Sequence, residues 1–353
     1  MNKIPLILLL TLSGCLTLGM AIAVDYPLTV TDSAGRAVTI EAPIEKIVVL
    51  NSDAAEAVSI LGDTDKIVGA TDSVPKYKAY YFSDVMDNWE IVGTWKEFNY
   101  EMIADLAKND AGEIDPGMLV ISYANKAGEV EENLAPFEKI DVVGLDLYNA
   151  ETLEGELTTL GMVLDREAEA EAYKDWVSEK KADVVEAVSG FDKPKVYVEG
   201  GYTGDLGSLR TYGQGSALDT MITLASGENI IINQTADIRI DWESVLVQMP
   251  EVVINTPTGI NQLGWSDTAD MEALIADFES RPGADALPAV TNDRVYVIFR
   301  DITLGTGAVV GLTYWAKIIH PEVELDPVGV YQEYLEMRGL DYPEENFFVY
   351  PAI

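Results

Sequence analysis

The chain has 353 residues, which is long enough for two ordinary domains with sizeable buried cores. Its 48% hydrophobic and 24% charged residues are typical of a globular protein and argue against a disordered one. The 60 acidic and 23 basic residues give a formal net charge of -37, which disfavours nucleic acids and anionic membranes as partners. A solvated acidic coat suited to a salty medium accounts for this charge, as does a surface tuned to a cationic ligand or partner.

The first residues have the pattern of an export signal. Lys3 precedes an apolar run at 4–12, as in the charged and apolar regions of a secretory signal peptide. The sequence Ala21-Ile22-Ala23 fits cleavage by signal peptidase. We therefore expect an extracytoplasmic protein in which 1–23 is a signal peptide or an N-terminal membrane anchor.

Two other fates of this segment stay open. Residues 12–15, Leu-Ser-Gly-Cys, resemble a lipobox, which would make a lipidated Cys15 the mature N-terminus. Alternatively, 4–24 stays uncleaved as an anchor, since it is about as long as a bilayer span. Cys15 is the only cysteine, so a chain cleaved after Ala23 has no disulfide framework and no thiolate nucleophile.

Short runs rich in Val and Ile alternate with longer amphipathic stretches along the chain. The candidate strands are 47–50, 118–122, 142–145, 195–199, 252–255 and 295–299, and the candidate helices between them include 54–61, 151–164, 216–225 and 271–279. Alternation of this kind predicts α/β units with mainly parallel sheets.

One long helix is predicted in the middle of the chain. Residues 165–189 contain no Gly or Pro and are rich in strong helix formers, with Gly190 as a cap and Pro194 as a stop. A rigid connector between two α/β halves and an ordinary domain helix both fit this pattern. As a connector at 165–190, it divides the chain into an N-terminal ligand-binding lobe at 25–164 and a C-terminal one at 194–353.

The two halves share a short repeated sequence pattern. Residues 99–103, Asn-Tyr-Glu-Met-Ile, precede one candidate strand, and 241–245, Asp-Trp-Glu-Ser-Val, precede another. In both places an amide or acid is followed by an aromatic residue, a glutamate and, two positions later, a β-branched residue, then by a helix, a proline and a buried strand. The repetition suggests two related lobes.

Several segments of the chain match one known pattern in their order and spacing. They are 30–36 with 43–48, 56–62 with 66–69, 193–199, 225–230, 281–283, 289–296 and 320–322. Together they resemble the substrate-binding proteins of iron-chelate, haem and cobalamin importers, from about Tyr26 to the C-terminus. The resemblance implies a class III periplasmic-binding-protein fold, which has two Rossmann-like lobes with mainly parallel sheets joined by one long α-helix. It also implies an ABC-importer component that captures a small ligand, delivers it to the transmembrane subunits of the permease and acts as a monomer.

The resemblance implies that the repeated pattern at 99–103 and 241–245 contacts the permease. In that family one glutamate on each lobe pairs with arginines of the permease, and the matching positions here are Glu101 and Glu243. Two carboxylates, one per lobe, suit charge-assisted contacts, although both are also ordinary first-turn helix acids. Glu243 lies seven residues before Pro250 and Glu101 fifteen before Pro116, so 108–115 is an insertion. We expect a surface loop there that leaves Glu101 in register but is able to change the docking surface.

Ligands of such folds lie where strand-end loops of the two lobes face each other. These loops are 51–53, 71–78, 94–96 and 122–125 in the first lobe and 200–212, 256–265 and 299–303 in the second. Aromatic faces suit a chelate or macrocycle, and arginines hold carboxylate or phosphate groups, although local packing explains each residue alone. The candidate ligand-binding residues are Trp95, Tyr123, Tyr202, Arg210, Tyr212, Trp265 and Arg300.

The resemblance to that family implies an iron chelate of the siderophore type as the ligand, with a corrinoid such as cobalamin, or haem, as the alternative. No resident cofactor or metal site is expected, because a bare Zn or Mn site needs several converging ligands and His320 is the only histidine. No enzymatic activity is expected, because a Ser-His-Asp triad would depend wholly on His320. A carboxylate-based hydrolase is a weaker alternative, since pairs of acidic residues occur by chance in a chain this acidic. A surface protein that kept the fold and lost transport is a third alternative.

Overall fold

The computed structural model describes residues 25–353 except 150, 202, 203, 233, 235, 236 and 261. The predicted signal segment, the lipobox and Cys15 lie outside the described residues, as does Tyr202. Within the described part of the chain, no helix combines the length and the apolar character that a bilayer crossing requires.

The first lobe is built on a five-stranded parallel sheet. Its strands lie in the order β5-β4-β3-β6-β7, and a β1-β2 hairpin stands before them. The strands are β1 (Leu28–Thr31), β2 (Ala37–Ile40), β3 (Lys46–Val49), β4 (Ile67–Ala70), β5 (Glu90–Ile91), β6 (Met118–Ser122) and β7 (Ile140–Gly144), and the helices are α1 (Ser52–Ile60), α2 (Ser73–Tyr77), α3 (Ala79–Phe82), α4 (Tyr100–Leu106), α5 (Ala124–Leu134) and α6 (Leu153–Leu164).

Helix α7 (Glu167–Ala187) leads from this sheet to a second, seven-stranded one. The second sheet is parallel at its centre, where β10, β8, β12 and β13 run together, and antiparallel at both edges. Its elements are β8 (Lys195–Glu199), β9 (Leu209–Tyr212), α8 (Ala217–Leu224), β10 (Glu228–Asn229), β11 (Asp237–Ile240), α9 (Trp242–Gln248), β12 (Val252–Asn255), α10 (Ala269–Glu279), α11 (Pro288–Thr291), β13 (Val295–Ile298), α12 (Ala308–Ile319), α13 (Pro327–Met337) and β14 (Val349–Tyr350).

The central strands are apolar because helices cover both faces of each sheet. Every residue of β6, β12 and β13 is buried. Strands covered on both sides read as continuous Val/Ile runs instead of alternating patterns. The predicted α/β fold with two mainly parallel sheets and a long intervening helix is confirmed.

The sequence interpretation was wrong about two segments of the second lobe. Arg210 and Tyr212 lie on strand β9, which pairs with β11, and not in a cleft loop. The family resemblance at 225–230 implies a Gly-Glu-Asn turn at 227–229, but Glu228 and Asn229 form β10 beside β8. Both strands are short, and neither carries the Val/Ile run that marked the other strands.

Helices α7 and α13 hold the two lobes together. On α7, the hydroxyl of Tyr173 donates to the carbonyl of Thr306, and the indole of Trp176 donates to Glu333 of α13 at 2.6 Å. At the end of α13, the guanidinium of Arg338 lies 4.0 Å from the ring centre of Tyr81 in the first lobe. The C-terminal helix therefore contacts both lobes as well as the connector.

Candidate functional site

A cleft opens between the lobes at the carboxyl ends of the parallel strands. It has a volume of about 380 Å³, within the range of small-molecule sites. The first lobe lines it with Ser52, Asp53, Tyr77 and Lys78, and the second with Arg210, Thr258, Gly259, Ile260, Arg300, Asp301 and Leu304. These residues all lie in or beside the loops that the sequence placed at the cleft.

The second-lobe wall presents a guanidinium on an aromatic support. Arg300 donates to the hydroxyl of Tyr212 at 2.7 Å and lies 5.1 Å from the centre of its ring. It also approaches the hydroxyl of Thr256 at 3.4 Å. No carboxylate of the described residues lies within ion-pair distance of Arg300, whereas Arg210 is paired with Asp237 at 2.5 Å. Arg300 is therefore the arginine of this wall whose charge is left for a ligand.

The first-lobe wall presents a carboxyl and a lysine. Lys78 is buried, and its Nζ lies 2.6 Å from Glu56 and 3.5 Å from Asp301 across the cleft. Burial would lower the pKa of Lys78, but Glu56 and Asp301 more than compensate and raise it above its usual value. Burial raises the pKa of Asp53 to about 7; Lys78 opposes this shift and the two acids add to it. Lys78 is thus a fixed cation, whereas Asp53 changes charge near neutral pH.

Below the cleft, a buried polar network crosses from one lobe to the other. Glu56 of α1 accepts hydrogen bonds from Tyr334 at 3.0 Å and from Arg338 at 3.3 Å, both C-terminal residues. Thr306 bonds the hydroxyl of Tyr334 at 2.8 Å. This network and Lys78 join the floor of the cleft to both lobes, which favours a largely preformed site over wide closure.

The aromatic residues that were predicted to bind the ligand are dispersed. Trp95 is 53% exposed at the tip of a turn, with the ammonium groups of Lys96 and Lys126 4.8 and 5.4 Å from its ring centre. Tyr123 is half-buried, with its ring edge-on to Tyr148. Neither lines the cleft described above, so their ligand contacts stay predictions.

The other aromatic candidates lie behind the wall or outside the described residues. Trp265 is 3% exposed and packs edge-on against Phe299, with 5.9 Å between ring centres. Tyr212 is buried and reaches the cleft through its bond to Arg300. The contact predicted for Tyr202 is untested because that residue is not described.

Glu101 and Glu243 occupy matching positions. Each is an exposed residue in the first turn of a helix, α4 or α9, that an Asn or Asp side chain caps. Asn99 accepts from the backbone N–H of Met102 at 3.1 Å, and Asp241 accepts from that of Ser244 at 2.7 Å. Because both helices follow a strand and lead to the next parallel one, both glutamates lie on the cleft side of their sheets.

The insertion at 108–115 is a surface loop, as expected, but it lies at the opposite end of the first sheet from Glu101. Asn109 closes its turn by accepting from the N–H groups of Ala111 and Glu113. Lys46, the first residue of β3, donates to the carbonyl of Lys108 at 2.9 Å. This contact places the loop at the amino ends of the strands, away from Glu101.

No group of three or more potential metal ligands is found among the described residues. His320 is buried at the end of α12, with Nε2 3.3 Å from the carbonyl of Ser226 and its ring against Phe191. These contacts give His320 a packing role.

Sequence reasoning found the cleft loops but missed part of their chemistry. Asp53, Lys78 and Asp301 all lie in or beside these loops, but the candidates were chosen among aromatic residues and arginines, and of the aromatic residues Tyr77 was left out. The signal was present as acids and a lysine at the ends of buried strands.

Comparisons with known proteins agree with this architecture. The periplasmic binding protein family profile matches residues 47–301. An uncharacterised ABC transporter substrate-binding lipoprotein of Bacillus subtilis, YvrC, is 21% identical over 307 residues, which are 84% of this chain and 87% of the relative. A cobalamin-binding protein of Halobacterium salinarum is 24% identical over 265 residues, which are 72% of this chain and 64% of the relative.

Solved structures show the same fold. The TroA-like periplasmic binding protein FepB from Veillonella parvula superimposes with a TM-score of 0.74 at 21% identity, over 92% of this chain and 99% of that one. From the extent of the family match, the chain belongs to the periplasmic binding protein family.

Proposed function

We propose that this solute-binding protein of an ABC importer captures an iron chelate of the siderophore type in the cleft between its lobes. The observation that carries the proposal is Arg300, a guanidinium without a carboxylate partner among the described residues, held on the ring and hydroxyl of Tyr212. Such a group suits the anionic rim of a ferric chelate, with Tyr77 offering an aromatic surface on the facing lobe. The iron arrives already chelated, so neither a resident metal nor a resident cofactor is part of the proposal.

A corrinoid is the second candidate, and haem is a third that the same scaffold permits. The cobalamin-binding relatives favour the corrinoid, because their similarity extends over 72% of this chain. Cobalamin also carries a phosphodiester that Arg300 suits. Either ligand makes this a binding protein whose role involves no catalysis.

Delivery is proposed to use Glu101 and Glu243 as contacts for arginines of the permease. Their matching, exposed, capped helix positions on the cleft side of each lobe support this role. The protein would act as a monomer, because one copy already supplies both carboxylates.

The N-terminus of the exported protein is proposed to take one of three forms. These are a lipid on Cys15, cleavage after Ala23, or retention of 4–24 as an anchor. The lipoprotein relative favours the first form. Mass spectrometry of the mature N-terminus distinguishes all three.

Native mass spectrometry of the purified protein tests the ligand class. The panel contains a ferric tricatecholate, a ferric trihydroxamate, cobalamin and haem. We expect one compound to be retained at micromolar concentration by the protein and by an Arg239→Ala control, whose exposed arginine lies on β11, but not by Arg300→Ala. Retention of none of them would contradict the proposed ligand class.

A further inference from the structure

Asp53 is a carboxyl that the protein leaves unsatisfied in the cleft. It lies in the first turn of α1, and its only hydrogen-bond partner among the described residues is its own backbone N–H. Its Oδ1 faces Gly305 of the second lobe, where an added Cβ would lie 3.1 Å away. Glycine at that position leaves the carboxyl room to point into the space between the lobes.

The charges around Asp53 balance without it. Lys78 forms ion pairs with Glu56 at 2.6 Å and with Asp301 at 3.5 Å, and Arg338 pairs with Glu56 at 3.3 Å. Two cations thus face two carboxylates in this buried cluster. An ionised Asp53 adds a negative charge that no cation of the cluster is left to neutralise, and such a charge is costly once water is removed.

The other groups near Asp53 do not change this balance. Tyr123 and Tyr148 face it from the loops after β6 and β7, and burial raises the pKa of both phenols, so they stay neutral. On the opposite wall, Arg210 is occupied by Asp237, and Arg300 is the cation that the proposed function assigns to the ligand.

Opposing influences bring the pKa of Asp53 close to neutral pH in the ligand-free protein. The first turn of α1 and the nearby Lys78 favour the carboxylate. Burial, with Glu56 and Asp301, outweighs them and brings the pKa to about 7. The carboxyl therefore gains or loses its proton within the ordinary range of extracellular pH.

We infer that Asp53 contacts the ligand in its protonated form, so that the protein takes up a proton when the cleft fills. This inference rests on the proposed function, because it requires a ligand in this cleft. A ligand displaces the water that solvates the carboxylate, and an anionic chelate held at Arg300 adds further negative charge. The protonated carboxyl, unlike the carboxylate, donates a hydrogen bond to an acceptor oxygen of the ligand.

The expected consequence is an affinity that falls as pH rises. Protonation in the complex and a free-state pKa of about 7 make binding about tenfold weaker at pH 8 than at pH 6. Above neutral pH the slope approaches about tenfold per pH unit.

Titration calorimetry between pH 6 and 8 tests this inference with the compound that the ligand panel selects. Asp53→Asn keeps the size of the side chain and removes the titration, so its affinity is expected to follow only the titration of the ligand itself. Asp141→Asn is the matched control, because burial raises the pKa of Asp141 to about 6 at the amino end of β7. The control is expected to keep the wild-type slope. A wild-type slope that survives in Asp53→Asn would overturn the inference.

A ligand-free measurement keeps the two proposals separable. If no compound of the panel binds, the proposed ligand class fails, and carbon-13 NMR of labelled Asp carboxyls in the free protein decides about Asp53. A resonance that titrates near pH 7 and is missing from Asp53→Asn supports the inference. Titration of that resonance below about pH 5, in the ordinary range of an aspartate, overturns it.

Discussion

Replacing Glu56 with glutamine tests whether the buried network below the cleft holds the lobes together. Glu56 is 1% exposed and supplies the carboxylate for Lys78 and Arg338. Glutamine keeps the size of the side chain but leaves Arg338 without an ion-pair partner and Lys78 with Asp301 as its one ion-pair partner among the described residues. Removal of one partner from a buried ion pair typically costs about 3–5 kcal/mol, and we expect a loss of that size in the free energy of unfolding.

Urea unfolding followed by tryptophan fluorescence measures this loss. Glu171→Gln is the control, since Glu171 pairs with Lys174 at 2.8 Å on the surface, where such pairs contribute less than about 1 kcal/mol. An equally small loss for Glu56→Gln would refute the reasoning, because it would mean that water or local movement solvates the two cations.

The pH dependence of the Glu56→Gln effect has a defined sign. Burial alone would raise the pKa of Glu56, but Lys78 and Arg338 hold it below its usual range. The stabilisation is therefore fully present above the unfolded-state pKa of about 4.3 and is lost as pH falls through the lower folded-state value. The difference between the wild type and the variant should shrink in acid.

Three further substitutions separate docking, binding and packing. Glu243→Ala should reduce uptake by reconstituted permease vesicles severalfold with unchanged ligand affinity. Glu279→Ala, at an exposed position outside the docking surface, should change neither uptake nor affinity. Lost affinity with normal uptake in Glu243→Ala would contradict the docking role. Arg300→Ala should weaken ligand binding about tenfold or more in calorimetry, because it removes a charged hydrogen-bond donor, and an unchanged affinity would remove Arg300 from the site. Gly311→Ala should lower the free energy of unfolding by about 1–3 kcal/mol, since its methyl group would overlap a backbone carbonyl oxygen. Gly128→Ala, with open space around it, should be neutral or stabilising, so equal losses in the two glycine variants would count against the packing argument.

Local sequence patterns predicted most of the first sheet and the centre of the second. The strands at 118–122, 195–199 and 252–255 have the predicted bounds, because parallel strands covered on both faces are marked by uninterrupted apolar runs. The long helix was predicted over 165–189 and occupies Glu167–Ala187, because strong helix formers without Gly or Pro leave few alternatives.

The candidate site was predicted less well than the fold. Strand-end loops follow directly from the strands, so the position of the cleft was predictable. The side chains that point into it were predicted only in part, since Arg210 and Arg300 line the cleft but Trp265, chosen for its aromatic ring, packs in the core. Asp53 was passed over, although among the described residues its carboxyl has no hydrogen-bond donor apart from its own backbone N–H.

The sequence by itself determined the α/β class, the long connecting helix and the paired positions of Glu101 and Glu243, because each depends on residues close together in the chain. Only the tertiary structure decided that the C-terminal Arg338 neutralises Glu56 of the first lobe, that Arg300 keeps its charge available in the cleft and that the pKa of Asp53 lies near neutrality. The physical reason is that the ionisation of a buried group depends on every charge that the fold brings near it. Most of those charges are distant in sequence.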